Sequence, residues 1–174
     1  MAKGKVITLI GGILTLLGTY TLTWFLFPSL TNIPHAWGYG GIKTLMDLFT
    51  DTEKYANYYE LDIWVIYIIA ALVIWFLISG ILQILVMKKR VLGIIGSIMP
   101  LVMSILILIS VSFALIPEIL KYLEIFADPA PISRGVFPLN YNIAGRNESI
   151  GTYFLCAGAV LGIIGYYMSR EEYF

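Results

Sequence analysis

The chain has 174 residues, of which 59% are hydrophobic and only 13% are charged, and its formal net charge is zero. A typical soluble domain carries about 25% charged residues, so the composition excludes an ordinary water-soluble domain. The few basic residues mostly flank apolar stretches, where lipid headgroups explain them, so we expect no nucleic-acid partner. The single cysteine, Cys156, excludes a disulfide within the chain and a cysteine-based metal site.

Four stretches contain no Asp, Glu, Lys, Arg or His, and each is long enough to cross a membrane as a helix. They cover about 6–27, 63–87, 91–116 and 151–168. At about 1.5 Å per residue, even the shortest approaches the roughly 30 Å hydrocarbon core of a bilayer. We therefore predict an all-α membrane protein, in which residues 1–174 form a single domain built as a bundle of four transmembrane helices.

Between the first two apolar stretches, residues 28–62 form a predicted outer loop that carries a short amphipathic helix. Its segment GGIKTLMDLF begins at Gly40. At helical spacing, one face of this segment is apolar, with Ile42, Leu45, Met46 and Phe49, and the opposite face holds Lys43, Asp47 and Thr50. The pattern is typical of a helix that lies on a membrane or across the tops of other helices.

Aromatic residues are frequent where the predicted helices meet this loop. Tyrosine and tryptophan favour the membrane–water interface because each has an apolar body and a polar tip. We interpret five of them as interface anchors, and a ligand-stacking site formed by the tyrosines and Trp64 is the alternative. The five are Trp24, Trp37, Tyr58, Tyr59 and Trp64.

Charge is distributed unevenly between the two predicted sides of the membrane. The N-terminus, the short Lys88–Arg90 turn and the C-terminus together hold six basic residues and two acids. The two long loops hold five basic residues and nine acids. The positive-inside rule therefore places both termini and the turn in the cytoplasm, and both long loops outside a cell membrane.

The second outer loop, 117–150, is predicted to open with another amphipathic helix. Pro117 fits the first turn of a helix, and Ile119, Leu120, Leu123 and Phe126 share one face. The rest of the loop has neither helical nor strand periodicity. Its triplet Asn-Glu-Ser makes Asn147 a candidate N-glycosylation site on the outer side.

Small residues recur at helical spacing in the first and last apolar stretches. The first contains Gly11, Thr15, Thr19 and Thr23, each four residues apart, and the last contains Gly158, Gly162 and then Gly165. Small residues let helix backbones approach closely in a membrane. The rows are therefore predicted to pack helices together, either within one bundle or between copies and partners.

No part of the sequence combines the residues of a catalytic, cofactor-binding or metal site. Gln83 is the one strongly polar side chain well inside the four apolar stretches. We therefore expect no enzyme activity, no cofactor and no bound metal. A cation-binding enzyme remains a third hypothesis, although the loop acids that it would use show no ligand spacing: Asp47, Asp51, Glu60, Asp62 and Asp128.

The layout resembles that of claudin-like and tetraspan membrane proteins, with four helices, both termini inside, a larger first outer loop and a tight inner turn. Trp37 followed by Gly38 is similar to part of the tryptophan pattern of claudin-like proteins. The cysteine pair of that family's first outer loop and the cysteines of the tetraspanin second loop are absent. The resemblance implies a four-helix membrane fold and, by analogy alone, a barrier or adhesion role.

Two functions from different classes follow from these observations. The first is a non-enzymatic membrane protein that acts by lateral association, as a self-assembling structural protein or as a small accessory subunit of a membrane complex. Its partners are the lipid bilayer and either copies of itself or other membrane subunits. The alternative is a channel or transporter whose pathway forms at an oligomer axis, lined by Thr15, Thr19 and Thr23.

Overall fold

The computed structural model describes residues 3–26, 35–37, 40–85, 89, 91–112, 128–130 and 149–171. These residues form six helices and three short strands. In chain order they are α1 Lys3–Tyr20, β1 Thr23–Leu26, β2 His35–Trp37, α2 Gly40–Thr50, α3 Thr52–Tyr59, α4 Ile63–Ile84, α5 Val91–Ser112, β3 Asp128–Ala130 and α6 Ile150–Glu171. The described chain is overwhelmingly helical, which confirms the predicted helical class.

Three of the helices are long and apolar enough to cross a membrane, namely α4, α5 and α6. They coincide with three of the four predicted spans, and they support a membrane-embedded protein. The first helix, α1, does not meet the same standard, because Lys3 and Lys5 occupy its first turn and it ends at Tyr20.

The end of α1 differs from the predicted span 6–27. After Tyr20 the sequence TLTWF is rich in β-branched and aromatic residues, which favour strands. The peptide N–H groups of Thr21 and Leu22 both donate to the Leu17 carbonyl oxygen, at 3.0 and 3.1 Å. The Trp24 indole N–H donates to the Gly18 carbonyl oxygen at 2.7 Å, and so satisfies a last-turn carbonyl that the helix itself leaves unpaired.

A three-stranded antiparallel sheet joins β1, at the end of the first predicted span, to β2 and β3, which lie in the two predicted outer loops. The sequence predicts helix at β1 and no strand in either loop. Strand β2 lies in the middle, between β1 and β3. His35 pairs with Ala130 and Trp37 with Asp128, whereas the β1–β2 register shifts between its ends. Pro129 is tolerated because β3 is an edge strand, where a missing N–H costs little. Strands of three or four residues are too short to show periodicity in a sequence.

The predicted amphipathic helix in the first loop is present as α2, and α3 follows it directly. Leu48 of α2 is fully buried and Thr44 is nearly so, whereas the opposite, apolar side of α2 is exposed. Helix α2 packs against the start of α4 and touches β2, β3 and α3. We call β1, β2, β3, α2 and α3 together the cap. The second predicted amphipathic helix, after Pro117, lies outside the described residues.

Glycines spaced seven residues apart bring α1 and α6 into close antiparallel contact. They pair as Gly4 with Gly165, Gly11 with Gly158, and Gly18 with Gly151. A Cβ atom on Gly11 would lie 2.6 Å from the Gly158 carbonyl oxygen, and one on Gly158 would lie 2.7 Å from the Gly11 carbonyl oxygen. A seven-residue spacing keeps the glycines on the line of contact while the two helices wind around each other. We call this contact the glycine seam.

The remaining helix pairs also rely on glycine, and large apolar side chains fill the space nearer the cap. Gly12 of α1 faces Gly80 of α4, and a Cβ on Gly96 of α5 would lie 2.5 Å from the Ser79 carbonyl oxygen of α4. On the cap side, the Trp24 ring meets the Phe76 ring edge to face, with centroids 5.2 Å apart. The buried cluster around them includes Phe25, Ile66, Val73, Met103, Ile107 and Leu155.

We predict that Gly158→Ala destabilises the protein by about 1–3 kcal/mol, the usual cost of overpacking a tight core. The new methyl group would press on the backbone of α1, which cannot move as a flexible side chain can. An alanine at an uncrowded helix position would instead stabilise by up to about 1 kcal/mol relative to glycine. The measurement is the midpoint of unfolding in mild detergent, with the helical circular dichroism signal as the readout.

The matched control is Ala157→Val, which adds bulk at the neighbouring, exposed position of α6. This variant should unfold at the midpoint of the unmodified protein. If Gly158→Ala also leaves the midpoint unchanged or raises it, the close approach of α1 and α6 is contradicted.

Candidate functional site

A polar centre lies where all four long helices meet, and Gln83 of α4 occupies it. Gln83 is fully buried. Its Nε2 donates to the Gly96 carbonyl oxygen of α5 at 3.0 Å, and its Oε1 accepts from the Thr15 hydroxyl of α1 at 3.2 Å. A Cβ on Gly162 of α6 would lie 3.3 Å from the Gln83 carboxamide carbon. One side chain therefore reaches α1, α5 and α6.

The other buried hydroxyl groups of the bundle are mostly satisfied inside the chain. Thr8 donates to the Gly4 carbonyl oxygen at 3.1 Å, and Ser97 donates to the Gly93 carbonyl oxygen at 2.7 Å. Across the described residues, the Ser110 hydroxyl is the one buried side-chain polar atom without a partner.

The glycines and threonines that were predicted to pack helices lie at contacts inside the bundle. Gly11, Gly158, Gly162 and Gly165 lie at helix contacts within the bundle, and Thr15 and Thr19 are buried on α1. Thr23, which was predicted on the first helix, lies on β1 and is also buried. The structure thus uses these small residues to pack one copy. An oligomer pathway lined by the three threonines would require α1 to leave its neighbours.

The predicted interface anchors occupy different environments. Trp24 is fully buried against Phe76 and Tyr59 is 6% exposed, whereas Tyr58 and Trp64 are 61% and 62% exposed. The Trp64 indole N–H donates to Asp62 Oδ2 at 3.2 Å. Trp37 lies on β2. Asn147, the candidate glycosylation site, lies outside the described residues.

An open cleft of about 580 Å³ lies on the cap, beside the start of α4. Its lining combines charged, hydroxyl and apolar side chains: Thr50, Asp51, Thr52, Glu53, Lys54, Ile63 and Tyr67. A smaller groove of about 270 Å³ shares Lys54 and is lined by Tyr55, Tyr58 and Tyr59. The Tyr58 and Tyr59 rings meet edge to face, with their centroids 4.8 Å apart.

The loop acids that the sequence offers for a cation-binding enzyme do not come together in this cleft. Asp51 lines it, whereas Asp47, Glu60 and Asp62 do not. In the described part of the chain, no three His, Cys, Asp or Glu residues are grouped as a metal site requires. Glu53, Lys54 and Tyr67 had no signal in the sequence, because they meet only when α3 folds back beside the start of α4.

Comparisons with known proteins add no relative: the chain matches no protein-family model, no curated protein and no solved structure. The resemblance to claudin-like and tetraspan proteins therefore gains no support from them.

We predict that the contact between Thr15 and Gln83 contributes about 1 kcal/mol to stability, as other hydrogen bonds between membrane helices do. The test is a double-mutant cycle with Thr15→Val, Gln83→Leu and both together, read as unfolding midpoints in detergent. The double variant should lose less stability than the two single losses added together.

Ser79→Ala is the matched control, because the Ser79 hydroxyl donates to Phe76 of its own helix and joins no second helix. Combined with Thr15→Val, it should give additive losses. Additive losses for Thr15 and Gln83 as well would show that the polar centre does not couple α1 to α4.

Proposed function

We propose that this chain is a non-enzymatic integral membrane protein that acts by lateral association in the bilayer, as a self-assembling structural protein or a small accessory subunit. The observation that carries the proposal is the division of polarity. Polar side chains of the bundle are turned inward and are mostly paired there. The outward faces of the four long helices are instead dominated by large apolar side chains, which are suited to lipid and to other membrane helices.

In this proposal α1 is the fourth span, completed by β1. Its apolar part, 6–20, is roughly 22 Å long, and the four residues of β1 add roughly 13 Å. Non-helical backbone is tolerated at membrane depth only where protein covers it. The strand meets this condition, because Thr23, Trp24 and Phe25 are all fully buried.

The proposed orientation places both termini and the Lys88–Arg90 turn in the cytoplasm and the cap outside a cell membrane. Its support is the excess of basic residues at the termini and the turn, and the excess of acids in the two long loops. The arrangement is a four-helix layout of the tetraspan kind.

Helix α5 offers the face best suited to a second protein. Its outward stripe consists entirely of isoleucine and valine: Val91, Ile95, Ile98, Val102, Ile105 and Ile109. In a helix these β-branched side chains are held in essentially one rotamer, so they lose little freedom when another helix packs on them. The outward stripes of the other long helices also contain leucine, aromatic residues or methionine, such as Leu17 of α1, Trp64 of α4 and Met168 of α6.

The first measurement is the native mass of the protein extracted from its own membrane in mild detergent, with identification of all co-purifying chains. We expect either an oligomer of this chain alone or a complex with foreign subunits in fixed ratio. The first outcome identifies self-assembly and the second an accessory subunit. A clean monomer would contradict both forms of the proposal.

We further predict that Val102→Phe, on the outward stripe of α5, lowers the associated fraction several-fold, because the larger ring disrupts a packed face. Ile13→Phe on the outward stripe of α1 is the matched control and should leave the fraction unchanged. The measurement is the oligomer fraction as a function of protein-to-lipid ratio. If Val102→Phe leaves the oligomer fraction unchanged, as Ile13→Phe should, α5 is not the associating face.

A further inference from the structure

We propose that α2 lies in the boundary between the headgroups and the acyl chains of the leaflet on the cap side, with its exposed apolar side in contact with lipid. Ile42, Met46 and Phe49 form this side, which we call the α2 ridge. The inference rests on the membrane embedding in the proposed function, and it adds a second lipid contact outside the spanning helices.

The exposure of α2 is the first observation. Ile42, Met46 and Phe49 are 37%, 67% and 52% exposed, and their spacing of four and three residues places them on one side of the helix. The inner side of the same helix is already used, because Thr44 and Leu48 are buried within the chain. A cap helix surrounded by water would expose polar residues on its outer side. The α2 ridge exposes three large apolar ones.

The second observation is that the α2 ridge continues the outward face of a spanning helix. The Phe49 ring lies with its centroid 6.3 Å from that of Tyr67, in the first turns of α4. Around Tyr67, the residues Ile63, Trp64 and Ile68 of α4 are also exposed. Because α4 is one of the three helices able to cross a membrane, its outward face meets lipid in the proposed function, and the α2 ridge adjoins that face where Phe49 contacts Tyr67.

The residues around the α2 ridge indicate how deep it lies in the membrane. Tyrosine and tryptophan concentrate at the membrane–water interface, and Trp64 and Tyr67 mark that level on α4. Tyr67 also lines the cap cleft, whose other walls include Asp51, Glu53 and Lys54. Charged groups therefore begin next to the ridge, as headgroups do next to acyl chains. Interfacial helices insert their apolar face about 5–10 Å into this boundary. The α2 ridge lies at such a level, because it adjoins the apolar outward face of α4 on one side and the charged cleft on the other.

The test uses nitroxide labels on single cysteines, since Cys156→Ser leaves a chain without other thiols. Labels are placed at position 46 by Met46→Cys, at position 74 by Ile74→Cys and at position 57 by Asn57→Cys. Ile74 is an outward residue in the middle of α4, and Asn57 is an exposed polar residue of the cap on α3. In phosphatidylcholine vesicles, collisions of each label with oxygen, which partitions into lipid, are compared with collisions with a water-soluble nickel chelate.

We expect the label at position 46 to behave like the one at position 74, with frequent oxygen collisions and several-fold fewer nickel collisions than at position 57. Frequent nickel collisions at position 46 would show that the α2 ridge faces water and would overturn the inference. Infrequent collisions with both reagents at position 46 would show that protein covers the ridge, and would also overturn it. If position 74 itself is open to nickel, the membrane embedding fails, and with it the proposed function.

Discussion

The close approach of the α1 and α6 backbones is the constraint on which the rest of the structure depends. In a membrane, helices gain little from the hydrophobic effect when they associate, so dispersion between closely packed atoms has to hold them together. The paired glycines remove the side chains that would keep the two helices apart. Once α1 and α6 are joined, the remaining faces of both helices are free to meet α4 and α5, and the position of β1 follows from where α1 ends.

The polar centre is placed by the same packing. Gln83 can reach α1, α5 and α6 only because the glycines at positions 96 and 162 leave room for it. A buried carboxamide with satisfied hydrogen bonds fixes the relative rotation of the helices, which apolar contacts alone specify weakly. The relative rotation of the helices is therefore set by the Gln83 side chain, whereas their close approach depends on the glycines.

The sequence predicted the elements whose signal is long and uniform, and it failed where the signal is short or depends on distant residues. Apolar runs predicted α4, α5 and α6, and amphipathic spacing predicted α2. The end of α1 was missed because the length of an apolar run does not separate a helix from a strand after Tyr20. The sequence did not decide what the apolar face of α2 meets, because its spacing suits a membrane surface as well as the tops of other helices. The cap cleft joins residues 50–54 to Ile63 and Tyr67, and no local pattern connects them.

The glycine seam joins the first helix of the described chain to the last, and this has a consequence for biosynthesis. A chain is made from its N-terminus, and contacts between distant residues form late. The glycine side of α1 therefore has no partner in the chain until α6 has been synthesised. The same holds for the Trp24 carbonyl oxygen, which accepts from the Ser149 N–H and the Thr152 hydroxyl, both at 2.8 Å. The bundle of the newly made protein therefore stays incomplete until α6 has been synthesised.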